Sequence, residues 1–272
     1  MSATVGVTPS AAAIAFDQVA AVYDEVFTDT AIGRAQRRQV WAKLLETFPM
    51  GNRILELNCG TGEDAGFLAA RGRTVTACDA SAVMIEVAKQ RANKEGWSTA
   101  AQFHRIANED LGQLSFEGPL DGAFSNFSGL NCVLELAPVA GNLARLVRAG
   151  GRVLLCVWGR VCVAEILWYL LQGQAKKAVR RLSGKSTATV GGTRIAVFYP
   201  TVRELQQAFS PWFQLVWRQA IGLFVPPTYV EQSIKDHPTV LARLEALDAT
   251  FAQWPILRGA GDHVLLEFTR CR

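Results

Sequence analysis

The stretch Glu56-Leu57-Asn58-Cys59-Gly60-Thr61-Gly62-Glu63-Asp64 is where residue type and spacing come closest to chemistry. It follows a short apolar run, ILELN at 54–58, and leads into GEDAGFLAARG at 62–72, whose apolar residues recur at helical spacing. A strand, a tight turn and a helix are expected. Gly60 and Gly62 have no Cβ, so the backbone can turn sharply there and approach a ligand. The helix start behind them offers N–H groups without intrahelical partners. At the carboxyl end of a parallel sheet, such a turn binds nucleotide-like cofactors. A second carboxylate, Asp79, ends the next apolar run, TVTACD at 74–79, where it can accept hydrogen bonds from ribose hydroxyls. The dinucleotide fingerprint needs two residues between its second and third glycines. Here three residues separate Gly62 from Gly66, and Glu56 sits inside the first strand. Asp79 suits either cofactor class; the glycine register and Glu56 speak against a nicotinamide dinucleotide. Asp64, in the first helical turn, reads as a complement to the helix dipole.

The elements that must carry these residues alternate. After helical spacing over 11–49 and a stop at Pro49-Met50-Gly51 come strands at 54–58, 74–79, 101–107, 122–128 and 152–158. Helices are expected at 62–72, at 81–96 with a Ser81 cap and a closing glycine, and at 142–151 with a Gly-Gly stop. Strands alternating with helices at this spacing give a parallel sheet with crossover connections. Beyond 158 the pattern changes. A helical stretch at 160–183 is rich in Trp, Leu and Arg. Residues 184–194, GKSTATVGGTR, read as a polar, mobile loop. A Thr-capped helix at 201–209, two short helices at 228–235 and 238–252, and closing strands at 213–224 and 263–269 complete the chain.

The ordered motifs ILELNCGTGED, VTACDAS with Met84, IANEDL and DGAFSNFSGLN resemble those of class I S-adenosylmethionine (SAM)-dependent methyltransferases, nearest to quinone-biosynthesis C-methyltransferases. The resemblance is good over about 16–158 and looser to 272. It implies a Rossmann-like, doubly wound α/β fold with a seven-stranded, mostly parallel sheet. It divides the chain into an N-terminal helical cover at 1–49, a SAM-binding core at 50–158, and a lid with closing strands at 159–272. It also implies that the turn Asn58, Cys59, Gly60, Thr61 and Gly62 holds the methionine part of SAM, with Glu56 facing its ammonium. Asp79 would hold the ribose, and Ala80 and Met84 would flank the adenine. Asn108, Glu109, Asp110 and Leu111 would form the loop at the adenine edge. Asn126 and Phe127 would lie near the sulfonium. Tyr23 and Arg34 or Arg38 would come from the cover, an arginine there pairing with the cofactor carboxylate. The chain departs from the family at Asn58, where glycine is usual, and at Ala107, where an acid is usual.

Methyl transfer from a sulfonium is an in-line displacement in which the protein chiefly aligns the partners. A general base is needed only for a nucleophile with a proton of high pKa. Asn131, Tyr199, Tyr229, Glu165 and His237 are candidates for that role. His104 and His263 read as structural. Enzymes acting on nucleic-acid amines commonly carry Asn/Asp-Pro-Pro-aromatic after the fourth strand; this chain has Ser-Asn-Phe-Ser-Gly.

Composition sets the outer bounds. The chain has 272 residues, 50% apolar and 19% charged, enough for a sizeable core without disulfides or metal. Its net charge of +4 is too small for a dedicated nucleic-acid binder. Six cysteines without a CxxC pair read as free thiols in a reducing cytoplasm, and three histidines argue against a metal centre. Residues 153–171 are apolar but broken by Gly159-Arg160 and Glu165, so neither a membrane span nor a signal peptide is expected. The run Lys176-Lys177, Arg180-Arg181 and Lys185 is either a solvated face or a grip for an anionic group. The expected partner is a small or lipid-like acceptor, anionic in one version, and not a nucleic acid. SAM is the expected cofactor and S-adenosylhomocysteine its product. The rival readings are a methyltransferase-like partner protein without turnover and a NAD(P)-dependent oxidoreductase.

Overall fold

The computed structural model describes residues 10–272. In chain order the first elements are α1 Ala11–Val19, α2 Ala31–Thr47, β1 Arg53–Leu57, α3 Glu63–Ala69, β2 Thr74–Asp79, α4 Ala82–Glu95, β3 Ala101–Arg105, β4 Leu120–Ser125, α5 Leu136–Leu146 and β5 Val147–Trp158. Then follow α6 Val163–Leu171, α7 Ala175–Ala178, β6 Lys185–Val190, β7 Thr193–Phe198, α8 Val202–Phe209, β8 Phe213–Ile221, α9 Glu231–Ile234, α10 Pro238–Phe251 and β9 His263–Arg270. The first nine residues of the expected cover lie outside the described residues.

Seven strands form one sheet in the order β3-β2-β1-β4-β5-β9-β8. The first five pair in parallel, and β9 and β8 close the sheet antiparallel. The apolar strand runs reflect burial on both faces. Along β5, Val153, Leu155 and Val157 pack with α5 and α8 on one face. Leu154 and Cys156 pack with α2, α3 and α4 on the other. The strand order reverses between β1 and β4, and ligands bind outside the carboxyl ends at such a switch point.

Two expected elements differ from the structure. The helix expected at 142–151 runs from Leu136 to Leu146, and Val147 already belongs to β5. Gly150-Gly151 lies within that strand, where the register against β4 shifts between Leu120 and Gly122. A Cβ on Gly151 would stand 2.7 Å from the Asp121 carbonyl oxygen, so the glycines permit a bulge rather than stop a helix. The segment expected as a mobile loop, 184–194, is most of the β6–β7 hairpin. Its turn is Gly191-Gly192, both at positive φ (53° and 79°), the conformation two-residue hairpins favour. Every second residue of KSTATV turns toward α1, where Ala188 and Val190 meet Ala12, Phe16 and Ile195. The hairpin is thus ordered by the cover it supports.

A buried charge cluster ties the insertion to the sheet. Glu165 of α6, 1% exposed, accepts from Arg180 (2.9 and 3.1 Å) and from Arg181 (3.0 Å). Arg181 also donates to the Asp262 carboxylate (2.7 Å) and carbonyl (2.8 Å) just before β9. Cys162, Glu165 and Asp262 lie close enough to share an ion, but both carboxylates are engaged by arginine. Removing the shared cation leaves buried acids short of a partner. Arg181→Ala should lower stability by roughly 3–5 kcal/mol in urea unfolding, whereas Leu182→Ala, half exposed, should change it by less than about 0.5 kcal/mol.

Candidate active site

The turn after β1 has the expected sharpness. Asn58, Gly60 and Gly62 all take positive φ (56°, 52° and 79°). The two glycines serve different purposes. A Cβ on Gly60 would meet only Tyr23 Cε1 at 3.9 Å, so that glycine leaves its backbone approachable. A Cβ on Gly62 would press Ala88 at 2.9 Å and Phe103 at 3.1 Å, so that glycine lets α3 pack against α4 and β3. Asn58, in the left-handed region that asparagine tolerates, gains partners. Its amide donates to Ser125 Oγ (3.0 Å) and its oxygen accepts from Asn108 Nδ2 (2.8 Å). It fits because Gly129 stands opposite, where a Cβ would lie 2.3 Å from that of Asn58.

Asp79 braces the same turn, accepting from Gly60 N (3.0 Å) and Ser81 N (2.8 Å). Burial raises its pKa, and those N–H groups oppose the shift. Glu56 is 2% exposed and Oε2 has no hydrogen-bond partner. Its pKa is pushed well above the ordinary carboxylate range by burial and then by Asp64. Asn126 and Phe127 follow β4; Asn126 Oδ1 is likewise buried and unpartnered.

Asp64 is not merely a dipole complement. It is buried and receives Arg37 Nη1 (2.6 Å), Trp41 Nε1 (2.6 Å) and Asn126 Nδ2 (3.0 Å). The inward arginine of the cover is therefore Arg37, correcting the expectation for Arg34 or Arg38. Arg34 pairs with Asp29 and Glu63, and Arg38 forks onto Glu245 at the surface. The Arg37 guanidinium lies 4.7 Å from the Phe127 ring, and its Nε has no partner. The spacing was readable, since Arg37, Val40 and Leu44 share one helical stripe and Arg38 faces away from Val40. Asp17 and Asp24 were not singled out from sequence. Asp17 accepts from Ser81 Oγ and Val83 N, and Asp24 from Thr61 Oγ1 and Arg91. They pin the cover across the glycine turn. An open cleft of about 300 Å³ lies elsewhere, lined by Leu130, Val133, Leu136, Arg160, Phe198 and Glu204.

Of the residues expected around the adenine, Leu111 is buried in apolar packing, Met84 is buried, Asn108 is buried on Asn58, and Glu109 is exposed. Ala80 and Asp110 are half-buried, Thr61 is buried, and burial raises the Cys59 thiol.

None of the five base candidates is placed as a base. Asn131 is spent as a staple, bonded to Trp158 N and to the carbonyls of Trp158 and Phe198. Tyr199 bonds Ser186 in the hairpin, Glu165 is held by its arginines, Tyr229 stacks on Tyr169, and His237 is exposed at the start of α10. The imidazole at the site is His263. Its ring sits 5.4 Å from Phe127 and 6.0 Å from Trp158, and Nδ1 is 3.4 Å from Asp262 Oδ2 without a hydrogen bond. Burial lowers its pKa to about 4, outweighing Asp262. Its place at the start of a closing strand was the available signal.

The fold and site define a class, and comparisons agree. Residues 54–151 match a methyltransferase-domain family. A demethylmenaquinone methyltransferase of Clavibacter sepedonicus is 30% identical over 156 residues, 57% of this chain and 61% of that protein. A tRNA 5-carboxymethoxyuridine methyltransferase of Escherichia coli O157:H7 is 30% identical over 178 residues, 62% of this chain and 67% of that protein. The structure of the Burkholderia thailandensis 1,6-didemethyltoxoflavin-N1-methyltransferase, bound to S-adenosylhomocysteine, shares the fold at TM-score 0.58 and 17% identity, covering 100% of this chain and 94% of that one. The chain belongs to the class I SAM-dependent methyltransferases, and SAM is its cofactor.

A buried histidine that must stay neutral stabilises the fold above its unfolded pKa, and that contribution is lost as pH falls through the folded value. Wild-type thermal stability should therefore drop between pH 6.5 and about 4 more steeply than that of His263→Gln, measured by calorimetry across that range.

Proposed function

We propose that this methyltransferase acts on a small or lipid-like aromatic acceptor of the quinol type, and that the cofactor is held as follows. Glu56 is buried near Asp64 and Asp79, and Arg37 is already paired with Asp64, so the site favours a ligand bearing positive charge. The unpartnered acceptors Glu56 Oε2 and Asn126 Oδ1 suit the ammonium of SAM, and the unpartnered Arg37 Nε suits its carboxylate. Asp79 serves the ribose, with Gly60 providing the close approach. Tyr23 and Phe127 enclose the reacting end, Ala80 and Met84 the adenine, and the Asn58–Asn108 bond shapes the adenine loop in place of the missing acid at 107. Bound SAM supplies the activated methyl group.

The observation that carries the acceptor reading is a continuous aromatic wall. From Phe127 it runs through His263 to Trp158 and then Tyr199, with centroid separations of 5.4, 6.0 and 6.3 Å. Phe127 stands edge-on to His263 (85°), while Trp158 is tilted by 31° from His263 and by 36° from Tyr199, and an aromatic acceptor packs into the corner these rings make. His263, kept neutral by burial, accepts a hydrogen bond from the acceptor's hydroxyl and positions it for the methyl transfer. The Clavibacter relative, which acts on demethylmenaquinone, supports the same class. The competing reading is a nucleic-acid acceptor, favoured by the tRNA-modifying relative.

The experiment is transfer of labelled methyl from SAM to a short-chain demethylmenaquinol, with bulk tRNA in parallel. Label in the quinol supports the reading; label in tRNA alone overturns it. His263→Gln should lower kcat by about 100-fold through misplacement of the acceptor, while SAM affinity stays within about twofold. Asp79→Ala should weaken SAM binding by more than about tenfold, since the lost carboxylate accepts charge-free hydroxyl donors in a shielded site. Because the ionised Glu56 is the form that attracts an ammonium and its pKa is raised, SAM affinity should fall on acidification at a higher pH than an ordinary carboxylate would cause. Glu56→Gln should remove that pH dependence in titration calorimetry.

A further inference from the structure

Helix α6 is turned inside out. Its one carboxylate, Glu165, is buried, while Val163, Leu167, Leu170 and Leu171 are 39, 56, 51 and 87% exposed. Those four occupy positions i, i+4, i+7 and i+8, one face about 100° wide. The rotation is fixed rather than incidental. Glu165 forks onto Arg180 and is bonded to Arg181, which is anchored in turn to Asp262 before β9. Turning the leucines inward would break that buried cluster.

Charge follows the same segment. Residues 160–200 contain seven Lys and Arg and a single acid, the buried Glu165, whereas the whole chain has an excess of only four. The remainder of the chain is therefore net acidic. Lys176 and Lys177, both exposed, lie on α7, packed directly after α6. An outward leucine face in a segment whose exposed charges are all basic is the chemistry of a helix lying in a lipid headgroup layer. RNA would use the lysines but gives the leucines nothing to bury against. No described helix is long and apolar enough to cross a membrane.

We propose that α6 and α7 dock this enzyme onto an anionic bilayer surface, from which it draws a lipid-like acceptor. The proposal rests on the acceptor reading above for its purpose, but not for its test. The full chain is sedimented with vesicles of phosphatidylglycerol and phosphatidylcholine in equal parts, and with pure phosphatidylcholine, without any acceptor. Binding to the mixed vesicles should exceed binding to the neutral ones by about tenfold and weaken in high salt. Leu167→Glu/Leu171→Glu and, separately, Lys176→Glu/Lys177→Glu should each reduce it by about tenfold or more, with thermal midpoints and SAM binding as in the wild type.

Failure of the wild type to sediment with anionic vesicles overturns the proposal, as does retention of wild-type binding by the leucine variant. A concentration-dependent dimer abolished by the leucine variant, with no vesicle binding, assigns the face to a second copy and also overturns it. So does binding of tRNA that needs the lysines, with no vesicle binding. Methylation of a water-soluble short-chain quinol by a chain that ignores vesicles would reject docking and leave the acceptor reading standing. Vesicle binding without quinol methylation would do the reverse.

Discussion

The buried Arg37–Asp64 pair is the joint on which the site depends. One carboxylate gathers a guanidinium and an indole from α2, an amide from the end of β4, and its own place in the first turn of α3. It thereby joins the cover, the glycine turn and the switch point of the sheet. Breaking one partner of a buried pair costs far more than the pair contributes, because the other charge is left without water. The same arithmetic makes the pair specific: it holds α2 in one rotation, with Arg37 inward and Arg38 outward. It also sets the sign of the site. Burial raises the pKa of both Glu56 and Asp79, with Asp64 adding to the shift at Glu56, so a positively charged ligand is favoured beside them.

The second buried cluster, around Glu165, Arg181 and Asp262, does for the insertion what the first does for the cover. It fixes where α6 lies and which face it shows, and it delivers His263 to the carboxyl end of the parallel strands, beside Phe127 and Trp158. Two clusters of ionic and hydrogen-bonded groups thus frame an aromatic wall between them. Neither is simply stabilising; each converts a loosely specified packing of helices into one arrangement.

The fold was legible in the sequence because its signals are local. Alternating apolar runs, the Ser81 cap and the left-handed Gly96 gave the sheet and α4 directly. The turn around Gly60 and the acids Glu56 and Asp79 were legible for the same reason. What failed depended on tertiary context. Asp64 at a helix start looks the same whether it faces solvent or an arginine. The Gly191-Gly192 turn signals a hairpin only if α1 is there to cover it. Asn131 is a polar residue after β4 whether it meets substrate or staples three backbone groups. His263 opens a strand in either role, and only the neighbouring rings distinguish them. Asn58 departs from its family yet keeps the turn, because Gly129 makes room and Asn108 and Ser125 take its hydrogen bonds.

The central claim is that this acidic, cation-seeking turn binds SAM. Titration calorimetry of the full chain with SAM, S-adenosylhomocysteine and NADH tests it most directly. The account predicts micromolar binding of the first two and no heat with NADH. Binding of NADH, or no binding of SAM at any pH where the chain is folded, would contradict it.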